Sequence, residues 1–342
     1  MKPVKTPTAL NRRGFLKAGA GVLAAGATAS AAPAKKSNPY EYKVDHLFKT
    51  DAKLIQYEQA GRYPVPGKNA RRVVIGPEDA ICLAAGNQVF GLDKNLNRRF
   101  ESDLGQPVRC LAMAANGVVY AGLREEIVRL DAAGKPQQSW KISAAKTWLT
   151  GLAVAENDVF AADAGNRVVL RFDPAGKLLG RIGEKNAARN IPGLICPSPF
   201  LDVEIARDGL LRVTNPGRHL VEAYTFDGDR EFAWGKPTMG IEGFCGCCNP
   251  INIALLPDGR VVTCEKGLPR VKVYSAKGEF ECVVAGPESF PESLRTGAGL
   301  GKSDGSMAGM DAAVDSQGRV HLLDQLAGEV RIMARRADAK AS

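Results

Sequence analysis

Three of the eight cysteines in this 342-residue sequence, Cys245, Cys247 and Cys248, fall within four residues. They lie in the run Gly-Ile-Glu-Gly-Phe-Cys-Gly-Cys-Cys-Asn-Pro at 240–250. Buried cysteine in a core usually stands alone as a small hydrophobe, so this density points to chemistry. A structural disulfide, thiolates around a metal ion or an iron–sulfur cluster, an exchangeable redox disulfide and plain free thiols all use such a group. The Cys-x-Cys-Cys spacing differs from the Cys-x-x-Cys of common zinc and ferredoxin sites, and neighbouring Cys247 and Cys248 are expected to point apart. Glu265, Lys266 and Arg270 follow in the next polar corner, where the two cations are expected to lower thiol pKa values and favour thiolates. Cys82, Cys264 and Cys282 have apolar neighbours and read as core residues.

A scaffold must bring distant residues to these thiols, and the sequence supplies one by repetition. After a polar segment at 35–53, a pattern recurs of a short apolar run, a Gly, Asn or Asp turn, a second alternating run, a polar corner and a third run. It is clearest at 149–172, 200–224 and 251–274, weaker from near Ala80 and Cys110, and ends with a copy at 310–333. Alternation with turn residues between the runs indicates strands, not helices. The fold class is therefore all-β: a four-stranded unit repeated six times closes into a six-bladed β-propeller. The expected division is a leader at 1–34, a linker at 35–53, the propeller at 54–336 and a tail at 337–342. A strand from near Leu54 is expected to close the ring on the last blade.

Aligning Asp208-Gly209 with Asp258-Gly259 brings Cys196 level with Gly246 of the next copy. Both segments link an outer strand to the following inner strand, so Cys196, Cys245, Cys247 and Cys248 are expected on adjacent link loops of one face. The same alignment sets Asp202, Asn252 and Asp311 at one level of the inner strands, with Thr150 and Cys110 at the corresponding places. Asp202, Asn252 and Asp311 are candidate oxygen ligands for a hard cation such as calcium, or else the polar lining of a solvated channel. His219 sits in the corner of the fourth copy, on the same face. The segment 288–307, rich in Gly and Ser, reads as a flap on one face.

The corners Ala-Asp-Ala-Gly-Asn-Arg-Val and Thr-Asn-Pro-Gly-Arg-His-Leu-Val resemble those of NHL-type repeats, and the resemblance spans about residues 70–335. It implies the propeller fold and makes His219 a packing residue of the corner. With Cys-Gly-Cys-Cys-Asn-Pro and the leader, the chain also resembles exported bacterial NHL proteins. The leader Asn-Arg-Arg-Gly-Phe-Leu-Lys, followed by a Gly/Ala-rich run, is similar to a twin-arginine signal cut after Ala29, Ala31 or Ala34. That resemblance implies the Tat export machinery as a partner, a periplasmic or extracellular address, and passage in the folded state.

The formal charge is +9, and Lys2, Lys5, Arg12, Arg13 and Lys17 of the leader account for the excess over +4. The remaining cations are scattered, which speaks against nucleic acid as a partner. No interior stretch is long and apolar enough to span a membrane. His46, His219 and His321 are too few for the histidine-rich site of the amidating lyases, and no nucleophile elbow or phosphate-binding glycine loop is present. Three functions stay open. The first is a loop-face cysteine site, with a metal, an iron–sulfur cluster or thiol redox chemistry, serving binding or electron transfer with a protein or small-molecule ligand. The second is an interaction scaffold with a structural disulfide and no cofactor. The third is a calcium-dependent channel hydrolase or lyase resembling the gluconolactonases.

Overall fold

The computed structural model describes residues 45–296 and 309–337. The leader, most of the linker, the tail from 338 and residues 297–307 of the flap segment lie outside the described residues.

The described chain forms six antiparallel sheets of four strands. Five blades take their strands consecutively, beginning with the inner strands Ala70–Ile75, Cys110–Met113, Leu149–Val154, Val203–Ile205 and Asn252–Leu255. The sixth is composite: Met310–Val314, Val320–Asp324 and Glu329–Arg335 are completed by Tyr57–Pro64 from the other end of the chain. Ring closure thus follows the expected route, three residues later than Leu54, because Ala52–Leu54 is a 3-10 turn.

Burial explains the sequence pattern. Second strands such as Val159–Asp163, Leu211–Asn215 and Val261–Glu265 are buried along their whole length, between the neighbouring blades. Outer strands such as Leu178–Ile182 keep one face in water. Apolar clusters fill the spaces between blades; in one, Leu256, Val262 and Val273 of the fifth blade meet Met310, Val320 and Leu322 of the sixth. The tight turns use residues suited to them. Gly209 and Gly259 take φ of 78° and 89°, and the Asp208 and Asp258 carboxylates accept the backbone N–H two residues on.

The first blade starts earlier than the apolar runs suggest. The first blade begins at Ala70–Ile75, and Ile81–Ala85, near where the sequence pattern was expected to start, is its second strand. Arg71 and Arg72 interrupt the apolar pattern of the true inner strand and hide it.

Candidate functional site

The segment carrying the cysteines is held from several sides. Phe244 anchors its start, fully buried against Trp234 and Tyr274. The carbonyls just before it are gathered by two buried cations. Arg270 donates to Met239, Gly240 and Gly243, and Lys272 donates to Ile241 and Gly243 at 2.9 and 2.6 Å. Both cations share one carboxylate, Glu265, whose oxygens lie 2.7 Å from Arg270 and 2.8 Å from Lys272. Beyond Phe244, the Cys245 N–H reaches Glu265 at 3.4 Å and the Gly246 carbonyl accepts from His219 Nε2 at 2.5 Å. Asn249 closes the turn: its amide donates to the Cys245 and Lys266 carbonyls and accepts from Lys266 N–H at 2.9 Å. Glu265, Arg270, His219 and Lys266, taken from the sequence as neighbours of the thiols, thus act largely as struts. Lys272 belongs with them, and its place in a strand of valines gave no hint of it.

Held this way, the loop exposes one thiol. Cys247 is exposed at the tip, Cys245 and Cys248 are buried, and Cys196 is half-buried. The Cys247 and Cys248 sulfurs lie 3.1 Å apart, against the expectation that adjacent cysteines diverge. The turn explains the difference: Gly246, at φ 77°, and the Asn249 clamp fold the backbone back on itself. The Cys248 sulfur also meets Ser198 Oγ at 3.0 Å, a partner on the previous link loop that the sequence reading missed. Cys196 flanks Cys248 closely enough for Cys248 to raise it electrostatically, and it is a free thiol, not bridged to the trio. Cys245 turns the other way, towards Glu265, Arg270 and Lys272.

Burial decides the acidity of these thiols. It pushes Cys196 up to about 12 and raises Cys245 and Cys248 as well. Ser198 and Lys266 pull Cys248 down, and Arg270 pulls Cys245 down, but desolvation outweighs them. The neighbouring cations therefore do not produce ready thiolates at the buried positions.

Nor do the sulfurs fit a metal as they stand. Two thiolates on one tetrahedral zinc, with bonds of about 2.3 Å, sit roughly 3.8 Å apart. The Cys247–Cys248 pair is closer than that, and Cys245 faces away from it. Among the described residues no group of three or more His, Cys, Asp or Glu side chains is arranged to hold a metal ion.

The inner-strand ring is assembled as expected but is centred on a residue of the first blade. Arg72, 5% exposed, reaches Asp202 at 2.7 Å, Asp311 at 3.2 Å and the Asn252 side-chain amide oxygen Oδ1 at 3.0 Å. The remaining carboxylate oxygens accept backbone N–H groups, Asp202 from Ile253 and Asp311 from Val73. A guanidinium thus stands where the candidate hard cation would sit, and it takes up oxygens that calcium would need. Burial pushes Asp311 up to about 6 and raises Asp202, each held back by Arg72. Gly151, not Thr150, stands at this level in the third blade; a Cβ there would lie 2.5 Å from Asp202 Oδ1. Cys110 is fully buried at the second-blade position.

The architecture has known counterparts. A streptogramin B lyase structure superposes with a TM-score of 0.56 at 12% identity, covering 82% of this chain and 97% of the other. Virginiamycin B lyase from Staphylococcus aureus gives 0.57 at 12% identity over 82% of this chain and all of the lyase. The Neurospora crassa Pan2 WD40 domain gives 0.50 at 12% identity over 84% of this chain and 88% of the domain. Identity at this level shows a shared β-propeller fold and nothing finer. No family matches the chain by sequence, and no curated protein does.

Proposed function

We propose that the protein is an exported thiol redox propeller, acting through Cys247 and Cys248 as a dithiol–disulfide pair on the link-loop face. The observation that carries this reading is the 3.1 Å separation of an exposed and a buried sulfur on a pinned loop. The Cys247 thiolate attacks a substrate disulfide, forming a mixed disulfide and releasing one thiolate. The Cys248 thiolate then attacks Cys247 Sγ, expelling the second substrate thiol. The protein loses two protons and two electrons, and the substrate disulfide gains them. In the reverse direction the vicinal disulfide oxidises a dithiol. Ser198 Oγ and Lys266 assist by favouring thiolate on the otherwise disfavoured Cys248. Arg12-Arg13 and the run after them support delivery of the folded chain across the bacterial inner membrane, into a compartment where such exchange operates.

The test is to titrate the folded protein with oxidised glutathione and map cysteines by mass spectrometry. The expected product is a Cys247–Cys248 disulfide, two hydrogens lighter. A Cys248→Ser variant should stop at a glutathione adduct on Cys247, and a Cys247→Ser variant should resist the reagent. A disulfide from Cys196 to the trio, or indifference of all four thiols, would sink the proposal.

A further inference from the structure

The axis has a second mouth, on the face of the Asp-Gly turns and opposite the link loops. Every inner strand ends there on an apolar, half-buried residue: Ile75, Met113, Val154, Ile205, Leu255 and Val314, one from each blade. A cavity of about 380 Å³ lies at this mouth, walled in part by Ile75, Ile205, Leu255 and Val314. A mostly apolar hollow with a few polar groups is the usual form of a small-molecule site.

One residue further in, the strands carry Val74, Ala112, Ala153, Glu204, Ala254 and Ala313. Residues two apart in a strand share a face, so this level stands on the same side as Arg72, Asp202, Asn252 and Asp311. Only Glu204 can carry charge, and its small neighbours leave it room. Glu204 is half-buried, whereas the Arg72 ring above it is buried, so water reaches its carboxyl from the mouth and not from the link-loop side.

The charges around Glu204 do not balance. Arg72 is taken up by Asp202, Asp311 and Asn252, and Arg212, opposite Glu204 in the next strand, is tied to Asp208. Among the described residues no hydrogen bond or ion pair engages the Glu204 carboxyl. Burial pushes it up to about 8, Asp202 and Asp311 add to the rise, and Arg72 opposes it. At the cavity, Arg319 and His321 meet Asp315, which leaves Glu78 and Asp79 to outnumber the exposed Arg207. Asp79 accepts only neutral donors, the N–H and hydroxyl of Ser316. Both levels thus hold more acid than base.

We propose that this mouth binds a small organic cation with an apolar body, its primary ammonium on Glu204 and its carbon chain against the strand-end residues. The head passes only about 3 Å beyond the rim, the rise of one residue along a strand. An ammonium brings three donors and no acceptor, which suits a carboxylate without partners. An organic anion would meet the same acids and be repelled.

The probe is hexylammonium, with uncharged hexanol and anionic hexanoate as controls, titrated into the full chain by calorimetry at constant ionic strength. Hexylammonium should bind saturably, hexanol about tenfold or more weakly, and hexanoate not at all. Glu204 must release its proton to pair with the cation, so affinity should rise about tenfold per pH unit towards about 8 and level off above it. Asp311, held near about 6, steepens that slope only at lower pH. Glu204→Gln keeps the shape of the protonated acid and should abolish both the preference for charge and the rise between pH of about 6 and 8. Its denaturation midpoint checks that it folds, and the wild-type comparison of the three probes stands without it. Equal binding of hexanol, binding of hexanoate, undiminished hexylammonium affinity in Glu204→Gln, or no binding would each overturn the assignment.

Discussion

Cys248 and Ser198 show how a single contact tunes a buried nucleophile. The sulfur is 1% exposed, and burial alone would keep its proton in place, yet the serine hydroxyl at 3.0 Å is positioned to donate to a thiolate. Hydrogen bonds to charged groups contribute about 1.5–3 kcal/mol. We therefore expect Ser198→Ala to slow closure of the Cys247–Cys248 disulfide by about tenfold or more at fixed pH, leaving the first attack by exposed Cys247 unchanged. Rapid quench with a thiol reagent after mixing with oxidised glutathione separates the two steps. An equal slowing of both would show that Ser198 acts on the loop and not on the Cys248 sulfur. Cys245 contributes to neither step: Cys245→Ser should leave the exchange intact.

At the scale of the element, the thiol loop is a rigid holder whose struts come from two blades. Asn249 makes three hydrogen bonds inside it, and His219 braces Gly246 from the preceding blade. Replacing Asn249 by Ala strands the Lys266 N–H and two carbonyls, at a cost of about 1–3 kcal/mol for each group left buried. Its expected signature is faster amide exchange confined to 245–250 and reaction of Cys248 with a bulky maleimide, while the global denaturation midpoint moves less. The sequence made part of this legible. A shift of one repeat length set Cys196 beside the trio, and Ser198, two residues later, faces Cys248 for the same reason. The direction of each sulfur was not legible, because it depends on the Gly246 turn and the Asn249 clamp, which join residues far apart in the alternating pattern. Arg72 was missed for a different reason. Its inner strand looks unlike the others, although counting back three residues from the strand end, Ile75, sets Arg72 level with Asp202, Asn252 and Asp311.

For the molecule as a whole, the Arg72 ring governs stability. Removing one member of a buried ion pair costs about 3–5 kcal/mol because its partners keep uncompensated charge. Arg72→Met should lose that much in denaturant unfolding, with Asp202 and Asp311 left facing each other. The ring also sets a pH dependence. Asp311 holds its proton more tightly in the folded chain, up to about 6, than in the unfolded chain, where a carboxyl titrates near about 3.9. Its contribution is therefore complete below pH of about 4 and is lost as pH rises through about 6. Lys272 gives the opposite slope higher up. Burial holds it down to about 8 despite its pairing with Glu265, so its share of stability is recovered as pH rises from about 8 towards its ordinary value near 10.4. Denaturation midpoints measured across both windows should lose the first slope in Asp311→Asn and the second in Lys272→Met. Persistence of either slope in its own variant would show that another group is responsible.

The guanidinium at the axis has a bearing on how the ring comes together. Repeat arrays whose units touch only their neighbours can assemble and come apart piecemeal. Here a cation synthesised in the first blade finds its counter-charges in the fourth and sixth, and the sixth is itself unfinished until Tyr57–Pro64 pairs with Glu329–Arg335. A ring lacking the fourth or the sixth blade leaves Arg72 short of one of its two counter-charges, and one lacking the sixth also leaves a sheet edge open. The intermediate states are thereby penalised together, and six similar blades are bound into one all-or-none unit. Under the proposed export in the folded state, a chain with no half-built form would have the advantage.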